Sequence, residues 1–259
     1  MGKKRNIIVG QSGGPTSVIN SSLAGVYKTA RERGFHKVYG MLHGIQGFLD
    51  EQYVDLSTQI HSDMDIELLK RTPSAFLGSC RYKLPEIHEN PDIYERIFTI
   101  LAKLEIEAFI YIGGNDSMDT IKKLSDYAII KGHTQKFLGV PKTIDNDLAL
   151  TDHTPGFGSA AKYIAASTKE VIRDALGLTY NKESITVIEV MGRNAGWLTG
   201  ATALAKTEEC DGPDLIYLPE VEFDIDKFLK KVQELLKKKH SLVIAVSEGI
   251  KLSDGRYVC

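Results

Sequence analysis

Four short segments of this chain carry residue types that can handle a small anion or a proton. Gln11-Ser12-Gly13-Gly14-Pro15-Thr16 sets a glycine pair between an apolar run and an amphipathic one. Glycines there let backbone N–H groups approach an anion at a helix N-terminus, although a tight turn without a ligand explains the same residues. Tyr111-Ile112-Gly113-Gly114-Asn115-Asp116-Ser117-Met118 repeats the arrangement, with Asn115 and Ser117 readable either as site residues or as simple helix caps. Neither loop is followed by the Lys-Ser or Lys-Thr pair of a Walker A sequence. In Gly139-Val140-Pro141-Lys142-Thr143-Ile144-Asp145-Asn146-Asp147, Pro141 ends a strand and stiffens the turn. A lysine and two alternating carboxylates then follow. That pattern suits acid–base work beside a cation, and a solvated acidic loop is the bland alternative. Val190-Met191-Gly192-Arg193-Asn194-Ala195-Gly196-Trp197 puts Arg193 at a helix start, where its guanidinium can fork onto a phosphate. Met191 and Trp197 equally suit a core, and for Trp197 the core is the expectation. Glu248 follows the last strand candidate and means little alone.

These loops need a frame that brings them to one edge. Apolar runs rich in Val and Ile at 6–9, 37–42, 108–112, 137–140, 184–190, 215–218 and 242–246 predict strands, most of them covered on both faces. Amphipathic stretches at 17–33, 91–103, 118–131, 159–176, 194–206 and 226–239 predict helices. Gly34 stands at a helix C-cap position, and Ser62-Asp63-Met64-Asp65 opens a further helix with a capping-box pattern. Alternating strands and helices predict an α/β fold with doubly wound, mainly parallel sheets. All four segments then lie just after strands, at the carboxyl edge where such sheets bind ligands.

The 259 residues suit one large or two modest domains, and 42% hydrophobic content supplies a core. A net charge of −2 gives no electrostatic footprint for nucleic acid. Anionic substrates would therefore need local positive contacts. Cys80, Cys210 and Cys259 lack the spacing of a zinc site or a disulfide framework, which suits a reducing compartment. The apolar run Ile7–Val9 is too short for a signal peptide, and no membrane-length segment follows. The expectation is a cytoplasmic protein with no nucleic-acid or membrane partner. The last strand runs into Ser247-Glu248-Gly249-Ile250 with no closing helix, so the chain reads as cut short at its C-terminus.

In chain order, SGG, FLGSCR at Phe76–Arg81, GGNDS, PKTIDND, VMGR and the terminal VSEG resemble the phosphofructokinase family over nearly the whole length. PKTIDND is long enough to be highly specific. The resemblance implies two stacked α/β domains, 1–155 for the phosphate donor and 156–259 for fructose 6-phosphate, with the active site in the cleft between them. It makes Asp145 the base that accepts the proton of the sugar 1-hydroxyl, with Asp147 supporting through metal or hydrogen bonds. Thr143, Met191, Gly192 and Arg193 contact the sugar phosphate, and Glu248 binds the ring. Gly13, Arg81, Gly114, Asp116 and Ser117 belong to the donor side. Magnesium (Mg2+) is the implied cofactor, with Asn115 and Asp147 on the metal side, and a homodimer or homotetramer is the implied assembly.

The resemblance also bears on the donor. ATP-using relatives usually carry GGDGS and a glycine before TIDND, whereas this chain has Asp116 and Lys142 there. A carboxylate about 4 Å from a nucleotide phosphate charge costs roughly 4 kcal/mol at an effective dielectric of 20. Lys142 instead offers positive charge to pyrophosphate, so pyrophosphate is the implied donor and reversible transfer the implied reaction. An ATP-dependent kinase and a non-catalytic homologue that binds sugar phosphate remain the rivals. Three positions depart from the family pattern. Asn115 replaces the usual first Asp of its loop, Ser184 opens a strand that often begins with arginine (Lys182 lies nearby), and the family's later basic residues would follow Cys259.

Overall fold

The computed structural model describes residues 5–178 and 181–258; Cys259, the third thiol, lies outside them. The chain divides into two compact units, Met1–Thr143 and Ile144–Cys259. The division falls within the PKTIDND segment.

In the first unit the order is β1 (Asn6–Gln11), α1 (Ile19–Glu32), β2 (Lys37–Met41), α2 (Gly44–Leu49), β3 (Tyr53–Asp55), α3 (Asp63–Arg71), α4 (Pro91–Lys103), β4 (Ile106–Gly113), α5 (Asn115–Lys131) and β5 (Lys136–Pro141). The sheet order is β3-β2-β1-β4-β5, parallel except for β3, which runs antiparallel to β2. Pleating deals successive side chains to opposite faces. Ile8, Phe109 and Tyr111 join one cluster with Tyr94, Ile97 and Tyr127 from α4 and α5. Ile7, Val9, Ala108 and Ile112 join another with Leu23 of α1 and Leu69 of α3. With helices on both faces, the middles of β1 and β4 have no polar side to show, which is why Ile7–Val9 and Ala108–Ile112 are apolar without alternation. The first unit is thus doubly wound. The capping box forms as patterned: the Asp65 N–H donates to Ser62 Oγ, and Asp65 Oδ2 accepts from the Ser62 N–H at 2.9 Å. Gly34 follows α1 at φ +75°, the left-handed region glycine enters without strain.

The second unit runs α6 (Phe157–Leu178), β6 (Ser184–Val190), α7 (Trp197–Ala201), β7 (Leu215–Tyr217), α8 (Ile225–Leu236) and β8 (Ser241–Ser247). Its strands lie β6-β8-β7, all parallel. Central β8 is fully buried: Val243 packs with Ile172 of α6, while Leu242, Ile244 and Val246 pack with Val232 of α8. Edge strands differ from the expectation of two covered faces. Leu138 of β5 is 48% exposed, and Ile185 and Val187 of β6 are 48% and 54% exposed. Among the described residues, no helix is long and apolar enough to cross a membrane.

Candidate active site

The two glycine loops of the first unit follow β1 and β4, adjacent strands at the point where the strand order reverses. Open α/β sheets bind ligands at that switch point. The Ser12 N–H donates to the Ile112 carbonyl at 2.9 Å, extending the β1–β4 pairing beyond the strand. Gly13 then turns at φ +76°, a conformation that strains any other residue. Its N–H donates to the Cys80 carbonyl at 3.0 Å, so this amide supports the FLGSCR segment and is not free for an anion. Ser79 Oγ donates to the Gly13 carbonyl at 2.5 Å.

Cations stand on both sides of this turn. The Lys142 ammonium donates to the Gly14 carbonyl, and a Cβ added at Gly13 would lie 3.3 Å from Lys142 Nζ. One added at Gly14 would lie 4.0 Å from Arg81 Nη2. Lys142 is only 6% exposed, because its N–H donates to the Gly113 carbonyl at 3.0 Å and carries the β5 register one residue past Pro141. Arg81 is exposed, and among the described residues no ion pair is formed by it.

After β4, Gly114 occupies the N-cap of α5, and no side chain caps the helix. The simple-cap account of Asn115 and Ser117 therefore fails. Asn115 and Asp116 are exposed in the first turn, where N–H groups lack intrahelical acceptors and the helix field favours negative charge. Ser117 points inward, at 2% exposure. A Cβ at Gly113 would lie 1.9 Å from Ser117 Oγ, so the serine packs under the loop. Burial pushes the Tyr111 phenol well above the usual tyrosine range. Its oxygen accepts from the Ile45 N–H at 3.0 Å and lies 3.6 Å from Cys80 Sγ, backing the same loop. Lys123 of α5 bridges Asp119 and Glu86, each at 2.8 Å, and these partners hold its proton well above the lysine range.

The second unit presents its own group. Asn146 is buried at φ +57°, which asparagine tolerates better than most residues. Its Nδ2 donates to the Asp152 carbonyl at 3.1 Å, and its Oδ1 accepts from the Thr154 N–H at 2.8 Å. These two hydrogen bonds to the following segment fix the turn carrying Asp145, half-buried, and Asp147, exposed. At the ends of β6 and β8, the Gly192 N–H donates to Glu248 Oε1 at 3.0 Å, and Ser247 Oγ donates to the Gly192 carbonyl at 2.8 Å. Gly192 has φ +124°, with Ala195 O only 2.4 Å from where a Cβ would sit. Glu248 and the Met191–Arg193 segment are thereby joined as a unit. Arg193 and Met191 are exposed, and so is Trp197, 59% exposed on a T-shaped contact with Phe157 rather than in the core as expected.

Sequence reasoning missed Asn146, Ser247 and Glu220, whose Oε1 accepts from the Gly196 N–H at 2.7 Å. Only Asn146 had a signal, as a short polar residue between two carboxylates. A Cβ at Gly249 would sit 1.9 Å from the Arg193 carbonyl oxygen, a backbone atom that cannot swing aside. Gly249→Ala is expected to lower unfolding free energy by about 2–3 kcal/mol, read by urea denaturation.

Among the described residues, no three His, Cys, Asp or Glu side chains group as a metal site. Magnesium commonly takes one or two carboxylates and completes its shell with water and substrate phosphates. Asn115 in the first unit and Asp147 in the second are each exposed oxygen donors of the kind magnesium takes, and a tight all-protein cage is not what that chemistry requires.

The phosphofructokinase family model matches residues 6–259. The pyrophosphate–fructose 6-phosphate 1-phosphotransferase of Xanthomonas campestris pv. campestris is 43% identical over 98% of this chain and 60% of the relative. A sulfofructose kinase of Alkalicoccus urumqiensis is 37% identical over 96% of this chain and 62% of the relative. Among solved structures, the pyrophosphate-dependent phosphofructokinase of Nitrosospira multiformis superposes with a TM-score of 0.87 at 42% identity, covering 98% of this chain and 63% of that one. The chain spans about 60% of the length of the curated relatives it matches first.

Proposed function

Because the chain belongs to the phosphofructokinase family, we propose that it carries the donor and sugar machinery for transferring phosphate from pyrophosphate to the 1-hydroxyl of fructose 6-phosphate. The observation that supports this most is a buried lysine pinned against the glycine turn, on a loop that continues into two carboxylates. Phosphoryl transfer asks chiefly for positioning and for cations against spreading negative charge.

In the first unit, Lys142 and Arg81 meet the two phosphates of the donor around Gly13 and Gly114. Asp116 fills the end of α5 that a nucleotide phosphate would otherwise approach. In the second unit, Asp145 takes the proton of the 1-hydroxyl as its oxygen attacks phosphorus and the bond to the departing phosphate breaks. Arg193, Met191 and Gly192, together with Thr143 at the end of the first unit, receive the sugar phosphate. Glu248 keeps Oε2 for the sugar while Oε1 stays on Gly192. Asn115 and Asp147 would hold magnesium, which when bound neutralises charge on the diphosphate.

The names of relatives of this chain include pyrophosphate and ATP as donors and fructose 6-phosphate and sulfofructose as acceptors. Turnover of the purified protein should therefore be measured with pyrophosphate and with ATP, on fructose 6-phosphate and on sulfofructose. Pyrophosphate with fructose 6-phosphate is expected to give the highest kcat/KM. ATP turnover without pyrophosphate turnover would sink the donor assignment, and preference for sulfofructose would sink the acceptor.

A further inference from the structure

Two buried amides lie beneath the donor loops, and none of the roles assigned above uses them. Asn20, in the first turn of α1, and Gln11, the last residue of β1, are both 0% exposed. Gln11 Nε2 donates to Asn20 Oδ1 at 2.9 Å. Asn20 Nδ2 donates to the Thr72 and Ser74 carbonyls, both at 2.8 Å, and its Oδ1 also accepts from the Phe76 N–H at 2.9 Å. Gln11 Oε1 accepts from the Leu77 N–H at 2.9 Å. The asparagine thus uses its full hydrogen-bonding capacity, and three of its four bonds go to one irregular segment.

That segment needs holding. It contains Ser74 at φ +66°, rare for a residue with a Cβ, and Gly78 at φ +73°. It has no helix or strand of its own. Its far end is the one that touches the glycine turn, through Ser79 Oγ and the Cys80 carbonyl, and the next residue is Arg81. Arg81 makes no ion pair among the described residues, so the backbone beneath sets where its guanidinium starts from.

We propose that Asn20, braced by Gln11, is a positioning residue for the phosphate donor: it locks the 72–80 segment so that Arg81 is presented beside the Gly13–Gly14 turn. This rests on the donor-side reading of Arg81 given above. The amide has no contact with the donor and acts only through the loop.

Asn20→Ser keeps a small polar group but cannot span the same partners. It is expected to raise KM for pyrophosphate about ten- to a hundredfold, the scale of an ångström-sized misplacement. KM for fructose 6-phosphate should stay within about twofold. Placed on an Arg81→Ala background, the same change should add less than about twofold, because the side chain it positions is gone. A general loss of packing would instead move both KM values, or act undiminished on that background, and either result overturns the proposal. If Asn20→Ser does not fold, Ser79→Ala cuts the same line nearer its end and should show a smaller split of the same kind; an unchanged pyrophosphate KM then overturns it. Hydrogen exchange of the 72–81 segment separates this proposal from the functional reading. Faster exchange in Asn20→Ser, in a protein inactive with pyrophosphate, would keep the clamp and discard the donor. Unchanged exchange would discard the clamp.

Discussion

Asp145→Asn is expected to lower kcat by about 10²- to 10⁴-fold, the contribution of a well-placed general base. The substitution keeps the size and outline of the side chain and removes its ability to take a proton. Position 145 is half-buried, in a turn that its neighbour holds independently, since Asn146 bonds to the 152 and 154 backbone. The backbone should therefore survive the change. KM for both substrates should move only a few-fold, because proton transfer is made in the transition state and not in the bound complex. The measurement is steady-state formation of fructose 1,6-bisphosphate, with a thermal melt to confirm folding. If kcat survives within about threefold, the proton goes elsewhere and the base assignment is wrong.

Much of the frame that carries this site was legible from apolar runs alone. All seven strand runs became strands, because runs such as Ile7–Val9 and Phe109–Ile112 are buried between two helical layers. The missed elements are those with little local signal. β3 has three residues, too few to show alternation, and α2 has six and starts after His43 at φ +55° with no capping side chain. α5 begins at Asn115, three positions before the expected Met118, because a glycine rather than a side-chain cap starts it.

Exposure was harder to read than secondary structure. β6 has the composition of a covered strand, yet Ile185 and Val187 are half exposed because β8, not β6, takes the centre of the three-stranded sheet. Strand order is a long-range property that composition does not encode. The same holds inside the donor side. Gly13 suggested a free amide for an anion, but the structure spends that amide on Cys80, and the positive charge beside the turn comes from side chains. Asn20 gave no local signal because three of its four bonds reach partners more than fifty positions along the chain.

The donor choice should then respond unequally to its two determinants. Asp116 is exposed, so its repulsion of a nucleotide phosphate about 4 Å away lies between roughly 1 kcal/mol in water and 4 kcal/mol at a dielectric of 20. That corresponds to about five- to a thousandfold against ATP. Lys142 is buried at 6% exposure and held against Gly14, where screening is weaker. Its loss should cost pyrophosphate turnover about 10²- to 10³-fold, the effect of deleting a preorganised electrostatic contact. Asp116→Gly alone should therefore raise kcat/KM for ATP while leaving most pyrophosphate activity. Lys142→Gly alone should abolish most pyrophosphate activity without creating ATP use. The double variant should exceed the product of the two on ATP. Both residues border Gly114, where a Cβ would lie 3.8 Å from the Lys142 carbonyl oxygen, so the loops are close enough to couple. Pyrophosphate turnover that survives Lys142→Gly intact would place the discriminating charge on Arg81 instead.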